Sequence, residues 1–320
     1  MKAVVIKEAG GPEKLLYQEV PTPKVKPGWS LVKIKGFGIN HSEIFTRKGL
    51  SPSVKFPRIL GIECVGVIAE TSDEKRLPIG QKVISIMGEM GRDFDGSYAE
   101  YVLLPNDQIY PITTNLDWAT LAAIPETYYT AYGSMLNLKI DQTDRVLVRA
   151  GSSGVGIAFL KLLKAHYPHL FVAGASRNLN KEKQLKEGGY DEVVIDQAGN
   201  LQTEEKFDKI LELIGPKTIK DSFKHLNEGG IVCSTGQLGN QWYLEEFDPI
   251  IDLAPNSYLT SFYSGNVDQT KINQMFSYIE KYYVDVQPEK IFDLAHVADA
   301  HRYLESSHSF GKVVVVVEKN

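Results

Sequence analysis

The run Asp144-Arg-Val-Leu-Val-Arg-Ala-Gly-Ser-Ser-Gly-Val-Gly-Ile-Ala-Phe-Leu-Lys-Leu-Leu-Lys constrains this chain more than any other segment. Its first part is a short aliphatic run of the kind that forms a buried strand, and its second part repeats apolar residues at helical spacing. Between them, Gly151, Gly154 and Gly156 permit a tight turn. Such a turn brings backbone N–H groups to a helix N-terminus, where a pyrophosphate gains both hydrogen bonds and the helix dipole. A strand, a glycine turn and a helix in that order predict a dinucleotide site, with Gly151, Ser152, Ser153, Gly154, Val155 and Gly156 as candidate cofactor-binding residues. Ser153 takes the place of the middle glycine of G-x-G-x-x-G, so the motif is incomplete.

A NAD-selective site carries an acid about 20 residues further on, on the ribose 2′-OH. Here no Asp or Glu occurs from Ile157 to Lys181, and the second strand ends in Gly174-Ala-Ser-Arg-Asn. A guanidinium can hold a 2′-phosphate through two hydrogen bonds, and an ammonium adds a point charge. Ser176, Arg177 and Lys181 therefore join the candidates, and NADPH is expected over NADH. The plainer alternative for the basic pair is a solvated loop.

Around this unit the chain changes character twice. From Met1 to about Tyr110, short β-branched runs such as KAVVIK, LVKIKGF, CVGVIAE and KVISIM are separated by Gly and Pro clusters, which predicts an antiparallel β-rich domain. After Asp117, six apolar runs from RVLVRAG to SYLTSFY alternate with helical segments, which predicts a parallel sheet wound on both faces. The tail holds a helix over Asp268 to Tyr283, a strand KIFDL, a helix over Val297 to Ser306 and a strand GKVVVVV. That last strand lacks neighbours of its own and is assigned back to the first domain.

Length and composition fit this plan. The 320 residues suit roughly two domains. The net charge of -5 gives no field for nucleic acid as the main partner. No apolar run approaches a membrane span and the first residues hold no signal-like apolar stretch, so a soluble, cytoplasmic protein is expected. Two cysteines, Cys64 and Cys233, cannot build a disulfide framework or a multi-cysteine zinc site.

The segments GFGINHSEIFTRKG, PRILGIECVGVI, GSYAEYVLLP, PETYYTAYG, VLVRAGSSGVG, GGIVCSTG and FGKVVVVV follow one another along nearly the whole chain. With them the chain resembles the medium-chain dehydrogenase/reductase superfamily, in its zinc-independent quinone oxidoreductase branch. The resemblance implies an α/β fold in which a GroES-like β-rich catalytic domain, residues 1–120 and 264–320, carries an inserted Rossmann domain, residues 121–263. It also implies an active-site cleft at the domain junction and homodimers formed through the edge of the Rossmann sheet. Asn40, Arg47 and Thr127 are then the expected catalytic residues. Asn40 would face the nicotinamide end, and Thr127 and Thr130 would line the floor. Gly154 to Val155 would hold pyrophosphate, and Leu238, Phe262 and Tyr263 would flank the nicotinamide carboxamide. Arg47 belongs to a pocket segment in which bacterial quinone oxidoreductases carry tyrosines where this chain has Phe45 and Ser51. Plainer readings stay open: Asn40 as a helix cap, the threonines as packing groups, and Phe262 with Tyr263 as the last core strand.

Zinc-dependent alcohol dehydrogenases of the superfamily place Cys, His and Cys where this chain has Asn40, Ile62 and about Glu126. Their structural-zinc lobe is replaced by the loop from Gly88 to Gly96. Amide and carboxylate oxygens suit zinc poorly, so no metal is expected. Without a Lewis acid, reduction of a conjugated acceptor that spreads its own charge is favoured over alcohol–ketone interconversion. The expectation is hydride transfer from NADPH to a quinone or other conjugated carbonyl. The alternatives are a 2-alkenal or enoyl-thioester reductase, and a non-catalytic NADPH-binding sensor.

Overall fold

The structure is a computed structural model that describes residues 1–177 and 179–317. Its first elements are β1 (Lys2–Ile6), β2 (Leu15–Glu19), β3 (Trp29–Ile39), helix α1 (His41–Arg47), β4 (Arg58–Ile59), β5 (Glu63–Glu70), β6 (Lys82–Ile86), β7 (Tyr101–Pro105) and β8 (Tyr110–Pro111). Helices α2 (Trp118–Ala122) and α3 (Pro125–Leu138) follow. The alternating region comprises β9 (Arg145–Val148), α4 (Gly154–His166), β10 (Phe171–Ser176), α5 (Glu182–Glu187), β11 (Glu192–Gln197), β12 (Asn200–Leu201), β13 (Phe207–Glu212), α6 (Ile219–Lys224), β14 (Leu226–Ser234), α7 (Pro249–Asp252) and β15 (Tyr258–Ser261). The tail adds α8 (Gln269–Lys281), β16 (Lys290–Asp293), α9 (Val297–Glu305) and β17 (Val313–Val316).

Two compact units result. The first takes residues 1–127, 264–274 and those from 286 onward; the second takes 128–263 and 275–285. In the first, strands run in the order β16-β17-β3-β5-β6-β8, with β7 also paired to β3 and a separate sheet β2-β1-β4. Its pairs are antiparallel except β16 with β17. The tail strand β17 lies on β3, Val313 opposite Ile39 and Val314 opposite Gly38, as its lack of other neighbours predicted. Val32, Ile34, Phe37, Ile39, Ile68, Val313 and Val315 are buried together, each worth roughly 1.5–3 kcal/mol of apolar burial.

The second unit holds a sheet ordered β12-β11-β10-β9-β13-β14-β15, parallel except for the short β12. Its strands are almost continuously buried, as in Arg145–Val148 and Phe171–Ser176, which is the pattern of a sheet covered on both faces. From β9 the chain builds outward through β10 and β11, then crosses back to add β13, β14 and β15 on the other side. The order therefore reverses between β9 and β13. At such a reversal the loops leaving the strand ends diverge and leave a crevice, the usual ligand position in an open α/β sheet. Among the described residues, no helix is long and apolar enough to cross a membrane.

Candidate functional site

The glycine turn leaves β9 at this reversal. Ser153 caps α4, its hydroxyl accepting from the Gly156 N–H at 3.1 Å, so the residue that breaks the glycine motif satisfies a helix end that would otherwise lack a partner. A Cβ on Gly156 would stand 2.8 Å from the Ala150 carbonyl oxygen and 2.9 Å from that of Gly151, and one on Gly174 would meet the Tyr190 ring at 2.9 Å. Tyr190 locks this packing: the single proton of its buried hydroxyl is shared between the Gly151 carbonyl at 3.0 Å and the Gly156 carbonyl at 3.1 Å. Ser152, Ser153, Gly154 and Val155 keep exposed surface at the start of α4, whereas Gly151 and Gly156 are buried. Tyr190 lies outside the motif, and its only signal in the sequence is an aromatic after the Gly-Gly that closes the following helix.

At the end of β10, the structure brings Lys181 back to the turn, with Nζ 3.4 Å from Ser152 Oγ. Burial, and the Arg177 guanidinium beside it, push the Lys181 ammonium below the ordinary lysine range. Two cations held together next to the glycine turn form a site that an anion would stabilise. Ser176 ends the strand half-buried, and Arg177 is exposed.

Asp196, an acid on the neighbouring strand, faces away from that task. Its Oδ2 accepts from Arg149 Nη2 at 2.6 Å and Nε at 3.1 Å. Arg149 is fully buried and also donates through Nη1 to Asp221 Oδ2 at 3.0 Å and to the Thr218 carbonyl at 3.1 Å. Glu212 completes the hub: Ser222 Oγ donates to it at 2.6 Å, and the Ile214 and Gly215 N–H groups donate at 2.8 and 3.1 Å. Burial raises the Glu212 carboxyl above the ordinary range despite Arg149 nearby. Arg149 thus ties the loops following β11 and β13 beneath the turn, and was visible beforehand only as an arginine closing an aliphatic strand.

Leu238 and Phe262 lie past the ends of β14 and β15. The Leu238 N–H donates to the Leu213 carbonyl at 3.1 Å, and the Phe262 N–H to the Ser234 carbonyl at 3.3 Å. Gly133 on α3 makes room for the Phe262 ring, which a Cβ there would meet at 2.0 Å. Tyr263 is exposed. Thr130 is buried one turn from Thr127 on α3.

In the first unit, Asn40 stands at the N-cap position of α1, yet its side chain makes no capping bond. Its carboxamide is instead held between two charges. Nδ2 donates to Glu63 Oε1 at 2.8 Å, and Oδ1 accepts from Lys312 Nζ at 2.7 Å. Lys312 also donates to Glu63 Oε1 at 2.6 Å, closing a triangle, while Glu63 Oε2 accepts from the Glu126 N–H at 2.8 Å. Gly38 on β3 leaves the room this requires, because a Cβ there would stand 2.2 Å from Lys312 Cε and 2.4 Å from Glu63 Oε1. Glu43 lies alongside with Oε1 3.4 Å from Asn40 Nδ2. Burial, reinforced by Glu63, pushes its carboxyl up to about 8, so Glu43 keeps its proton at neutral pH beside the Lys312–Glu63 ion pair.

Of the three expected catalytic side chains, Asn40 alone keeps exposed surface. Arg47 is fully buried, and its Nη2 pairs with Glu305 Oε2 at 2.7 Å, linking α1 to α9. A cation so enclosed is a structural partner for Glu305. Thr127 is likewise buried. Ser51, in the pocket segment, spends its hydroxyl on Thr46 at 2.9 Å. Lys312 went unnoticed in the sequence, although a lysine opening a run of five valines is an anomaly that only a buried partner would stabilise.

The alcohol dehydrogenase GroES-like domain profile matches residues 26–114, and the zinc-binding dehydrogenase profile matches 188–315. Quinone oxidoreductase of Rattus norvegicus is 26% identical over 333 residues, covering 99% of this chain and 98% of its own. The chain belongs to the medium-chain dehydrogenase/reductase superfamily, in its quinone oxidoreductase-like group. The chloroplastic NADPH-dependent alkenal/one oxidoreductase of Arabidopsis thaliana is a 27% identical relative, covering 98% of this chain and 79% of its own. The solved quinone oxidoreductase of Coxiella burnetii has the same fold, with a TM-score of 0.83 at 24% identity over 99% of each chain.

Part of this superfamily binds zinc, and the residues here do not fit it. Asn40 Oδ1 is taken by an ammonium, Ile62 offers no donor atom, and Glu126 Oε1 accepts from Ser264 Oγ at 2.8 Å. Among the described residues, no group of three or more His, Cys, Asp or Glu side chains is arranged to hold a metal. A divalent ion beside Asn40 and Glu63 would also meet the Lys312 ammonium at contact distance, and like charges so close repel strongly. NADP(H), by contrast, fits the second unit, where the turn supplies backbone donors and Arg177 with Lys181 supplies charge.

Proposed function

We propose that this oxidoreductase is an NADPH-dependent, zinc-independent reductase of quinones or other conjugated carbonyl compounds. The observation that supports this reading is the Asn40–Glu63–Lys312 triangle, which holds the Asn40 carboxamide in one orientation; by the resemblance, zinc-dependent members of the superfamily keep a metal ligand at that position. The name of the Arabidopsis relative supports NADPH and an alkenal or enone acceptor, and that of the rat relative supports a quinone. Arg177 and Lys181 would hold the 2′-phosphate, the start of α4 the pyrophosphate, and Leu238 and Phe262 the carboxamide.

When bound, NADPH supplies the hydride. Asn40 donates an N–H to the acceptor's carbonyl oxygen as charge develops there, a stabilisation that a conjugated acceptor needs less of than a simple ketone does. Thr127 and Thr130 shape the α3 floor. We infer a homodimer built on β15, the exposed edge strand of the second sheet, where Tyr258 is 63% and Leu259 40% exposed, with Ile250 and Ile251 nearby in sequence at 89% and 76%. Cytoplasm is the proposed compartment, and both cysteines are buried free thiols, as a reducing environment permits.

The test is oxidation of NADPH and NADH against 1,4-benzoquinone, 9,10-phenanthrenequinone, an enone and crotonyl-CoA, with and without chelator. Chelator-insensitive turnover that prefers NADPH is expected. Cofactor binding without turnover of any acceptor would make the protein a sensor, and loss of activity in chelator would overturn the zinc-free reading.

A further inference from the structure

An amide can be seated either way round, and on its own it rotates. Here the seating is decided by chemistry: Lys312 can only donate, so it selects Oδ1, and the Glu63 carboxylate can only accept, so it selects Nδ2. A carbonyl oxygen that accepts from an ammonium makes the N–H groups of the same amide stronger donors, because bonds in a chain polarise one another where water is excluded. Glu63 is fully buried and the Lys312 side chain only 5% exposed, so both charges act in such a setting. One Nδ2 proton is spent on Glu63; the other makes a long bond of 3.4 Å to Glu43 Oε1, which a better-placed carbonyl oxygen of the acceptor would displace.

We propose that Lys312 and Glu63 are positioning residues that fix and polarise the Asn40 carboxamide, so that its second Nδ2–H is a directed donor to the carbonyl oxygen of the acceptor. The inference rests on the reductase reading for what Asn40 does, but the geometry it names exists in the resting protein. Lys312 takes over part of the work of a metal ion: it is a fixed positive charge that acts on substrate only through the amide. Glu63 balances that charge and holds the amide against rotation. Gly38 is the space that lets both reach Asn40, and β17, on which Lys312 is carried to β3, is the element that delivers it.

The variants are Lys312→Met, Lys312→Arg and the double change Lys312→Met with Glu63→Gln, which leaves no lone buried charge and keeps the fold testable. Two quantities are read on the full chain. The first is kcat and KM for 9,10-phenanthrenequinone and NADPH. The second is the Asn40 side-chain amide resonance in asparagine-labelled protein, assigned by its loss in Asn40→Asp. In the double variant kcat is expected to fall by about 10- to 100-fold, with KM for NADPH within about twofold, and Lys312→Arg is expected to recover most of the rate. The Asn40 amide protons are expected to move upfield in the double variant and stay near their place in Lys312→Arg. A double variant with kcat within about twofold of the parent, or with an unmoved Asn40 resonance, would overturn the proposal. A parent protein that turns over no acceptor, with the resonance shifting as expected, would reject the reductase reading and still support the positioning of Asn40.

Discussion

Glu43 carries a buried carboxyl whose Oε2 has no hydrogen-bond partner among the described residues. Below pH 4.5 both the folded and the unfolded chain keep its proton. Between there and about 8 only the folded chain does, so unfolding releases a proton and stability falls as pH rises. Against Glu43→Gln, the parent should lose stability over that window by up to about 1.4 kcal/mol per pH unit, read as diverging urea midpoints from pH 5 to 8. Parallel midpoints would mean the carboxyl ionises freely in the folded protein. Arg177 makes a separate prediction. Its change to Ala should weaken NADPH binding by about 1–3 kcal/mol and leave NADH nearly untouched, measured by titration of each cofactor. Equal loss for both would remove the 2′-phosphate from this residue.

At the scale of elements, the turn between β9 and α4 is braced by one hydroxyl. Tyr190→Phe removes the hydroxyl proton shared by the Gly151 and Gly156 carbonyls without opening a cavity, so it should cost about 1–2 kcal/mol of stability in urea and weaken both cofactors together. Unchanged binding would mean that the glycines alone set the turn. The turn itself was legible because its glycines are adjacent in sequence and the strand and helix beside them have opposite periods. The alternation of strands and helices was legible for the same reason, as each apolar run is short and local. The brace was not, since Tyr190 reaches the turn from 34 residues past Gly156. Nor were the partners of Asn40: a side chain's neighbours across a sheet depend on register, and periodicity fixes a face without fixing who stands opposite. Arg47 shows the same limit. It is fully buried, and its Nη2 is paired with Glu305, a partner 258 residues away that no local pattern in the sequence marks.

On the scale of the whole molecule, an unpaired strand edge with exposed tyrosine and aliphatic side chains is a surface that water disfavours. Changing Leu259, 40% exposed on β15, to Asp should turn a dimer into a monomer in light scattering while leaving cofactor binding in place. A parent protein already monomeric at micromolar concentration would reject the β15 dimer. The two units also differ in how the polypeptide builds them. The second is almost one continuous stretch, whereas the first is closed by β17 on β3, with Lys312 reaching Asn40 across 272 residues. During synthesis from the N-terminus, β3, Asn40 and Glu63 therefore emerge long before the cation that completes their cluster. The nucleotide-binding half can fold on the ribosome while its neighbour waits with an unbalanced buried carboxylate and an open sheet edge. A nascent chain released before residue 312 would lack the ammonium that pairs with Asn40 and Glu63, which ties completion of this buried cluster to completion of translation.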